Sequence, residues 1–214
     1  MRLRPLSLAE LERLHRTEMR EDFPPEELKP FAAMRTLYEA GAYRPMGAFE
    51  GETLQGYALL WDSPEKRYIL VDYLGVPREK RNAGRGGQIM RLLAESFRDR
   101  DGILVESEAP EGGPEDALRL RRMDFYRRCG FAFLSYECML FGVRYAVCLL
   151  SPNGRGAEAE ALEAHKGLYR AQFTEAAYRR YIQIPRDPDR PLEPPESWAD
   201  QENLPGLGER SQET

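Results

Sequence analysis

The segment RNAGRGG, residues 81–87, joins a run of strand-forming residues at positions 68–76 to a stretch whose apolar residues have helical spacing. Two spaced glycines let a backbone approach a bulky anion without a clash from a Cβ atom. The free N–H groups at the start of the following helix would point at that anion, with help from the helix dipole. A tight turn between a strand and a helix also needs glycine. The segment by itself therefore predicts either a pyrophosphate-binding loop or a simple turn.

Two common nucleotide-binding motifs do not fit this segment. It contains no Gly-Lys-Ser or Gly-Lys-Thr, which excludes a P-loop for nucleoside triphosphates. It also lacks G-x-G-x-x-G and follows several strands that read as antiparallel, so a Rossmann dinucleotide site is a poor match. A ligand bound here would be of another kind.

Composition narrows the class of protein. The chain has 214 residues, 42% hydrophobic and 31% charged, which predicts one globular domain with appendages. A net charge of −5 argues against a nucleic-acid partner, which would need a basic face, and suits a cationic substrate such as an amine. We expect no membrane partner, because no apolar run is long enough to cross a bilayer and the N-terminus lacks a signal-peptide pattern.

Cysteine and histidine are scarce. The three cysteines, at positions 129, 138 and 148, are an odd number without metal-binding spacing, so we expect a reduced, cytoplasmic protein. Only two histidines are present, His15 and His165, and we therefore predict no metal site.

Hydrophobic patterns predict an α/β protein in which a mixed sheet carries helices on its faces. The predicted order is β-α-α-β-β-β-α-β-α-β-β over residues 1–150. A capping box at residues 7–10 starts the first helix, and two prolines at 24–25 start the second. The predicted strands cover residues 2–6, 45–49, 54–61, 68–76, 103–106, 131–140 and 143–150.

The character of the chain changes after residue 150. We predict a linker and one long C-terminal helix, at 158–181, within residues 151–184. The apolar seam of this helix is expected to pack on the domain or on a second copy, so a homodimer through the helix or the last strands is a possible assembly. Residues 185–214 are rich in proline and acidic residues and predict a non-globular tail.

A second motif, DFYRRCGF at residues 124–131, ends the helix predicted at 115–129. The two motifs together resemble the GNAT superfamily of N-acetyltransferases. Arg-x-x-Gly-x-Gly at 81–86 is similar to the superfamily's Arg/Gln-x-x-Gly-x-Gly/Ala, and the second motif is similar to its tyrosine-bearing helix end followed by Gly-Phe. The predicted order of elements also matches that of the superfamily up to about residue 150.

The resemblance implies a GNAT-like acyl-CoA N-acyltransferase fold that binds acetyl-CoA as a cosubstrate in a split between the fourth and fifth strands. Backbone groups of the fourth strand would pair with the pantetheine arm, and N–H groups of the glycine segment would bind the pyrophosphate. The cosubstrate-binding residues implied in this way are Leu74, Val76, Arg81, Asn82, Ala83, Gly84, Arg85, Gly86 and Gly87.

The resemblance also places Tyr126 at the superfamily's motif tyrosine, where its phenol would donate a proton to the departing thiolate. A tyrosine that only packs in the core is the alternative.

An alkylamine with a pKa of about 10.4 must lose a proton before it attacks a thioester. We identify Glu106 and Glu108 as candidate bases, because strand alternation puts both on one side of the fifth strand. Asp72, within the apolar fourth strand, is a further candidate.

We therefore expect an enzyme that transfers an acetyl group from acetyl-CoA to a primary amine, of a small molecule or a peptide, by direct attack in a ternary complex. Two alternatives are compatible with the sequence. One is a catalytically silent acyl-CoA-binding sensor, and the other is an acetyltransferase for protein lysines or N-termini. The presence of Tyr126 favours the enzyme over the sensor.

Overall fold

The computed structural model describes residues 1–25, 27–190 and 192. The strands are β1 Arg2–Pro5, β2 Tyr43–Glu50, β3 Thr53–Asp62, β4 Tyr68–Gly75, β5 Gly102–Glu108, β6 Ala132–Leu140, β7 Val143–Leu150 and β8 Ile182–Gln183. The helices are α1 Leu8–Arg16, α2 Glu18–Asp22, α3 Phe31–Glu39, α4 Arg85–Ser96, α5 Asp116–Arg128, α6 Glu158–Gln172 and α7 Glu175–Tyr181, with a 3₁₀ turn at Arg78–Lys80. No helix in the described part of the chain is both long and apolar enough to span a membrane.

The predicted α/β class and the predicted order of elements over the first 150 residues are confirmed, with one short helix, α2, in addition. The capping box forms: the Ser7 hydroxyl accepts from the Glu10 N–H, and the Glu10 carboxylate accepts from the Ser7 N–H. The second predicted helix begins only at Phe31, after an N-cap at Pro30. The residue before a proline avoids the α region, so a helix starting at the earlier prolines is interrupted there.

The single helix predicted at 158–181 is wrong, because the chain forms two helices that are separated at Phe173 and Thr174. Phe173 has extended backbone angles, and the Thr174 side chain accepts from the Ala177 N–H. A threonine hydroxyl in this position satisfies a free N–H group of the new first turn, which stabilises the break. The chain then forms β8, which pairs with β6.

The predicted tail of residues 185–214 lies mostly outside the described residues. Its described beginning contacts the sheet, where the Arg186 N–H donates to the Glu137 carbonyl at 2.7 Å. The division of the chain into a domain, a helical segment and a tail stays a prediction.

The strands form one sheet in the order β1–β2–β3–β4–β5–β7–β6–β8. β4 and β5 run parallel, and every other neighbouring pair is antiparallel. The β4–β5 pairing extends from Tyr68 opposite Gly102 to Val71 opposite Val105 and then stops, although both strands continue. The sheet therefore opens between the carboxyl ends of these two strands.

Two hydrophobic cores lie on opposite faces of the sheet. One face packs against α1–α3, α6 and α7, with Leu104 and Val147 among its buried residues. The other face packs against α4 and α5, with Val105 and Ile89 among its buried residues. Neighbouring residues of β5 thus point to opposite cores, as strand geometry requires, and side chains from both faces meet at the opening.

Gly56 of β3 allows α4 to pack closely on the sheet. A Cβ atom at this position would collide with the Cδ1 atom of Ile89 in α4 and lie 2.7 Å from the carbonyl oxygen of Gly75 in β4. We predict that Gly56→Ala lowers the free energy of unfolding by about 1–3 kcal/mol, because the crowding involves backbone as well as a side chain.

Thermal unfolding measures this effect, with an expected fall in Tm of roughly 2–4 °C for each kcal/mol in a chain of this size. Gly113→Ala is the matched control, since a Cβ there meets no atom within 4 Å. Equal Tm values for the two variants would contradict the packing role of Gly56.

Candidate active site

A cavity of about 1090 Å³ occupies the opening between β4 and β5. Its lining combines the free ends of both strands, the glycine segment at the start of α4, and side chains of α5 and α6. All the residues predicted to bind the cosubstrate except Ala83 line it. Tyr126, Glu106, Glu108 and Asp72 line it as well, so the fold brings the predicted site residues to one place.

The glycine segment delivers the start of α4 to the cavity. Gly84 is the N-cap residue and has φ of 71°, a left-handed conformation that favours glycine. No side chain caps this helix end, and a Cβ atom at Gly87 would meet no atom within 4 Å. Uncapped N–H groups at a helix N-terminus are suited to bind an anion.

The two arginines of this segment are held by ion pairs rather than directed freely at a ligand. Arg81 contacts Asp22 at 2.5 Å and donates from Nε to the Val76 carbonyl. Arg85 pairs with Glu50. Anion binding here would therefore rely mainly on the backbone N–H groups of α4.

Ser107 supplies a further sign that a ligand belongs in the opening. Its side chain is buried and lines the cavity, and its Oγ atom has no hydrogen-bond partner in the described part of the chain. Buried polar atoms are nearly always paired in native proteins. A polar group of a bound molecule would satisfy this hydroxyl.

Tyr126 lies on the α5 side of the cavity and packs against Phe125 and Phe131, with ring centroids 5.1 and 5.7 Å away. Within the described residues its hydroxyl has no hydrogen-bond partner. Burial, and secondarily the neighbouring thiol of Cys148, raises the pKa of Tyr126 well above the ordinary value. The phenol is therefore protonated throughout the neutral range.

Glu106 lies on the opposite face, where α6 holds its carboxylate. His165 Nε2 is 2.6 Å from Oε1, and the Tyr169 hydroxyl donates to the same oxygen at 2.9 Å. The other ring nitrogen of His165, Nδ1, is 3.1 Å from the Tyr136 hydroxyl. A neutral imidazole satisfies both contacts, because Nε2–H donates to Glu106 while Nδ1 accepts from Tyr136.

The sequence prediction missed His165, Tyr169 and Tyr136. The spacing of His165 and Tyr169, four residues apart, puts both on one helix face and is a signal for a shared contact. Their shared partner, Glu106, is about sixty positions earlier in the chain. Only the fold therefore reveals the hydrogen-bond network that these residues form.

Glu108 does not share the surroundings of Glu106. Its carboxylate contacts Arg119 at 3.0 Å and Arg122 at 3.2 Å, both on α5. The expectation that Glu106 and Glu108 act as a carboxylate pair on one side of β5 is not met, because they bind helices on opposite faces of the sheet.

Asp72 lies in a β-bulge of β4 and lines the cavity. Leu59 pairs with Tyr73 and Leu60 pairs with Val71, so Asp72 is an extra residue in β4. Its carboxylate contacts Lys29 at 2.6 Å and accepts from the Tyr43 hydroxyl at 2.5 Å. The buried carboxylate is thus paired, as the cost of burying a single charge requires.

Glu106, Cys138 and His165 also bring one possible metal ligand each within 4.8 Å of one another. Metal binding by cysteine requires the thiolate. Burial, with a smaller contribution from nearby Glu106, raises the pKa of the Cys138 thiol well above its usual value. The hydrogen bonds described above account for the Glu106 and His165 contacts.

Comparisons with known proteins agree with this architecture. Residues 8–131, more than half of the chain, match the acetyltransferase (GNAT) family. The chain therefore belongs to the GNAT acetyltransferase family. No curated protein matches the sequence significantly.

Solved structures share the fold at low sequence identity. A GNAT-family protein from Bacteroides thetaiotaomicron is 22% identical with a TM-score of 0.61, and the match covers 78% of this chain and 95% of that one. Spermidine N-acetyltransferase from Vibrio cholerae, in complex with CoA and spermine, is 13% identical with a TM-score of 0.54, over 72% and 96% of the two chains. The ribosomal-protein-S18-alanine N-acetyltransferase from Escherichia coli is also 13% identical, with a TM-score of 0.52 over 72% and 95%.

The network around Glu106 yields a stability prediction. His165→Leu removes a buried partner from both Glu106 and the Tyr136 hydroxyl, so we expect a loss of about 3–5 kcal/mol in the free energy of unfolding. Lys166→Ala, at the next position, removes a contact with the largely exposed Glu163 and leaves the bonds of Glu106 intact, so it should cost much less. Urea unfolding compares the two variants, and similar losses would show that the network contributes no stability.

Proposed function

We propose that this protein transfers the acetyl group of acetyl-CoA to a primary amine by direct attack in a ternary complex. The observation that carries the proposal is the opening of the sheet beyond Val71 and Val105 into one cavity. That cavity is lined by the uncapped start of α4 and by both Tyr126 and Glu106. Membership of the GNAT family and the CoA-bound spermidine N-acetyltransferase with this fold support the choice of cosubstrate.

The cosubstrate would bind along β4. Beyond Val71 this strand pairs with β3 on one edge only, so its backbone groups on the other edge have no ladder partner in β5. The pantetheine amides can pair with those groups near Leu74 as an additional strand would. The pyrophosphate then lies at the N–H groups of α4, and the thioester lies in the opening.

Of the three candidate bases, Glu106 is the one whose contacts leave it best able to accept a proton. Glu108 is engaged by two arginines and Asp72 by a lysine, whereas Glu106 is held by an imidazole and a phenol. In the proposed reaction Glu106 takes a proton from the acceptor ammonium, directly or through water. The amine nitrogen then bonds to the acetyl carbon, and the carbon–sulfur bond breaks with its electron pair on sulfur. The nitrogen loses a second proton, which passes to the thiolate or to water, so that the products are an N-acetyl amine and CoA.

Tyr126 would stabilise the departing sulfur. A CoA thiolate resembles a cysteine thiolate, with a pKa of about 8.5. Because burial raises the pKa of Tyr126 above that of an ordinary phenol, the hydroxyl acts chiefly as a hydrogen-bond donor to the developing thiolate. This donation lowers the barrier without requiring that the phenolate form.

Cosubstrate binding is tested first. Saturating CoA at a hundred times its Kd should stabilise the fold by about 2.7 kcal/mol, which corresponds to a rise in Tm of roughly 5–11 °C. Gly87→Val should fold, because its Cβ meets no atom within 4 Å, yet the added side chain should prevent the rise by obstructing the start of α4.

Gly113→Val, also without neighbours within 4 Å and outside the cavity lining, is the control and should retain the rise in Tm. A wild-type Tm that CoA leaves unchanged would contradict the proposed cosubstrate.

Tyr126→Phe tests the chemistry. The substitution retains the ring contacts and removes only the hydroxyl, so Kd for CoA and Tm should change little while kcat falls by about 10²–10³-fold. Burial keeps the wild-type phenol protonated beyond its ordinary range. The ratio of the wild-type kcat to that of Tyr126→Phe should therefore be constant between pH 7 and 9.5.

The control for this variant is Tyr178→Phe, a buried tyrosine of α7 outside the cavity lining, which should leave kcat unchanged. Thiol release from acetyl-CoA measures the rates. Equal kcat for wild type and Tyr126→Phe would remove Tyr126 from the mechanism and favour a core-packing role.

A further inference from the structure

Most of the carboxylates that line the cavity are already paired with cationic side chains of the protein itself. Among the cavity-lining carboxylates of the described residues, Glu27 is exposed and four others have side chains less than a fifth exposed. Three of those four form ion pairs: Asp22 with Arg81, Asp72 with Lys29, and Glu108 with Arg119. The fourth, Glu106, contacts His165 and Tyr169 and has no lysine or arginine partner in the described chain.

This arrangement leaves one inner carboxylate without a cationic side chain beside it. Glu106 contacts an imidazole and a phenol, and one ammonium group of an acceptor can pair with it. A second ammonium would find no unpaired inner carboxylate among the described residues that line the cavity, because Lys29 already pairs with Asp72 at 2.6 Å. Lys29 also lies 4.7 Å from the ring centroid of Trp61 and 5.2 Å from that of Tyr73.

The wall beside Glu106 is aromatic. Trp61 contacts Tyr169 at 5.3 Å between ring centroids, Tyr169 stacks on Phe173 at 6.0 Å, and Phe173 contacts Phe141 at 5.6 Å. We call these four residues, all of which line the cavity, the aromatic wall. Because the Tyr169 hydroxyl also binds Glu106, the wall and the carboxylate are directly adjacent.

Trp61 gives this wall an unsatisfied donor. Its side chain is buried, and its Nε1 atom has no hydrogen-bond partner in the part of the chain that is described. Phe141 and Phe173 are only partly buried, so a ligand that places a ring against the wall there would bury apolar surface.

Resting on the proposed function, we infer that the acceptor is a primary amine with a single positive charge on an aromatic body, rather than a polyamine. Its ammonium binds Glu106, which takes the proton, and its ring packs on the aromatic wall. The nitrogen–acetyl bond forms as the carbon–sulfur bond of acetyl-CoA breaks, and a second proton passes from the nitrogen to the sulfur or to water, so the products are an N-acetyl amine and CoA. The wall determines which amine is chosen, and Glu106 determines where its nitrogen lies.

The first experiment compares 2-phenylethylamine, ethylamine, spermidine and a lysine-containing peptide as acceptors in the thiol-release assay with the full chain. The value of kcat/KM for 2-phenylethylamine should exceed that for each of the others by about 10²-fold. A preference for spermidine, ethylamine or the peptide would overturn the inference and leave the proposed acetyl transfer intact. Binding of CoA without thiol release from any amine would overturn both.

Variants at Phe173 and at Lys29 separate the contribution of the aromatic wall from that of charge. Phe173→Ala should lower kcat/KM for 2-phenylethylamine by about 10–100-fold and change that for ethylamine less than threefold, because only the larger amine reaches the wall. Phe173→Leu keeps an apolar side chain at the end of α6 and guards against misfolding, with an intermediate loss expected. Leu120→Ala, at an exposed residue outside the cavity lining, is the control.

Lys29→Gln should raise the ratio of spermidine to 2-phenylethylamine turnover by about 10-fold or more, since it frees the charge of Asp72 for a second ammonium. Equal losses for both amines in Phe173→Ala, or an unchanged ratio in folded Lys29→Gln, would contradict the assignment of the acceptor.

Discussion

The parting of β4 from β5 is the constraint on which the site depends. β3 continues to hold the outer edge of β4, and β7 holds the outer edge of β5, while the two inner edges separate beyond Val71 and Val105. Backbone groups at these inner edges lie within the protein and require partners. An extended ligand arm can supply them. Because the opening passes between the two faces of the sheet, it connects the helix start that suits an anion with the carboxylate that suits an amine.

Much of the fold is encoded in short segments, and those features were predictable. Ser7 and Glu10 form their capping box within four residues, and the residues at 81–87 make a turn into a helix whose requirements are local. The break between α6 and α7 is equally local, since Thr174 is an ordinary N-cap residue. It was missed because apolar residues at helical spacing continue across it, and a continuous seam reads as one helix.

The surroundings of Glu106 and Glu108 could not be read from the sequence. Alternation along a strand predicts a shared side, yet where β5 has separated from β4 the neighbouring helices decide where each carboxylate binds. Arg119 draws Glu108 towards α5, and His165 draws Glu106 towards α6. Those contacts depend on how helices from distant parts of the chain pack on the sheet. Tertiary packing of this kind leaves no local signal beyond the four-residue spacing of His165 and Tyr169.

The residues at the two ends of the cavity, the glycine-segment end and the Glu106 end, lie in different parts of the chain relative to the region that matches the family. The glycine segment, β4, β5 and Tyr126 all fall within residues 8–131, where the chain matches the GNAT family. His165, Tyr169, Phe173 and Phe141, which hold Glu106 and form most of the aromatic wall, all follow that match. Family membership therefore bears on the end that would bind the cosubstrate, whereas the acceptor end combines Glu106 and Trp61 from the matched region with residues that follow it. Specificity follows from the residues that touch the amine, so a structural neighbour that shares only the fold does not identify the acceptor.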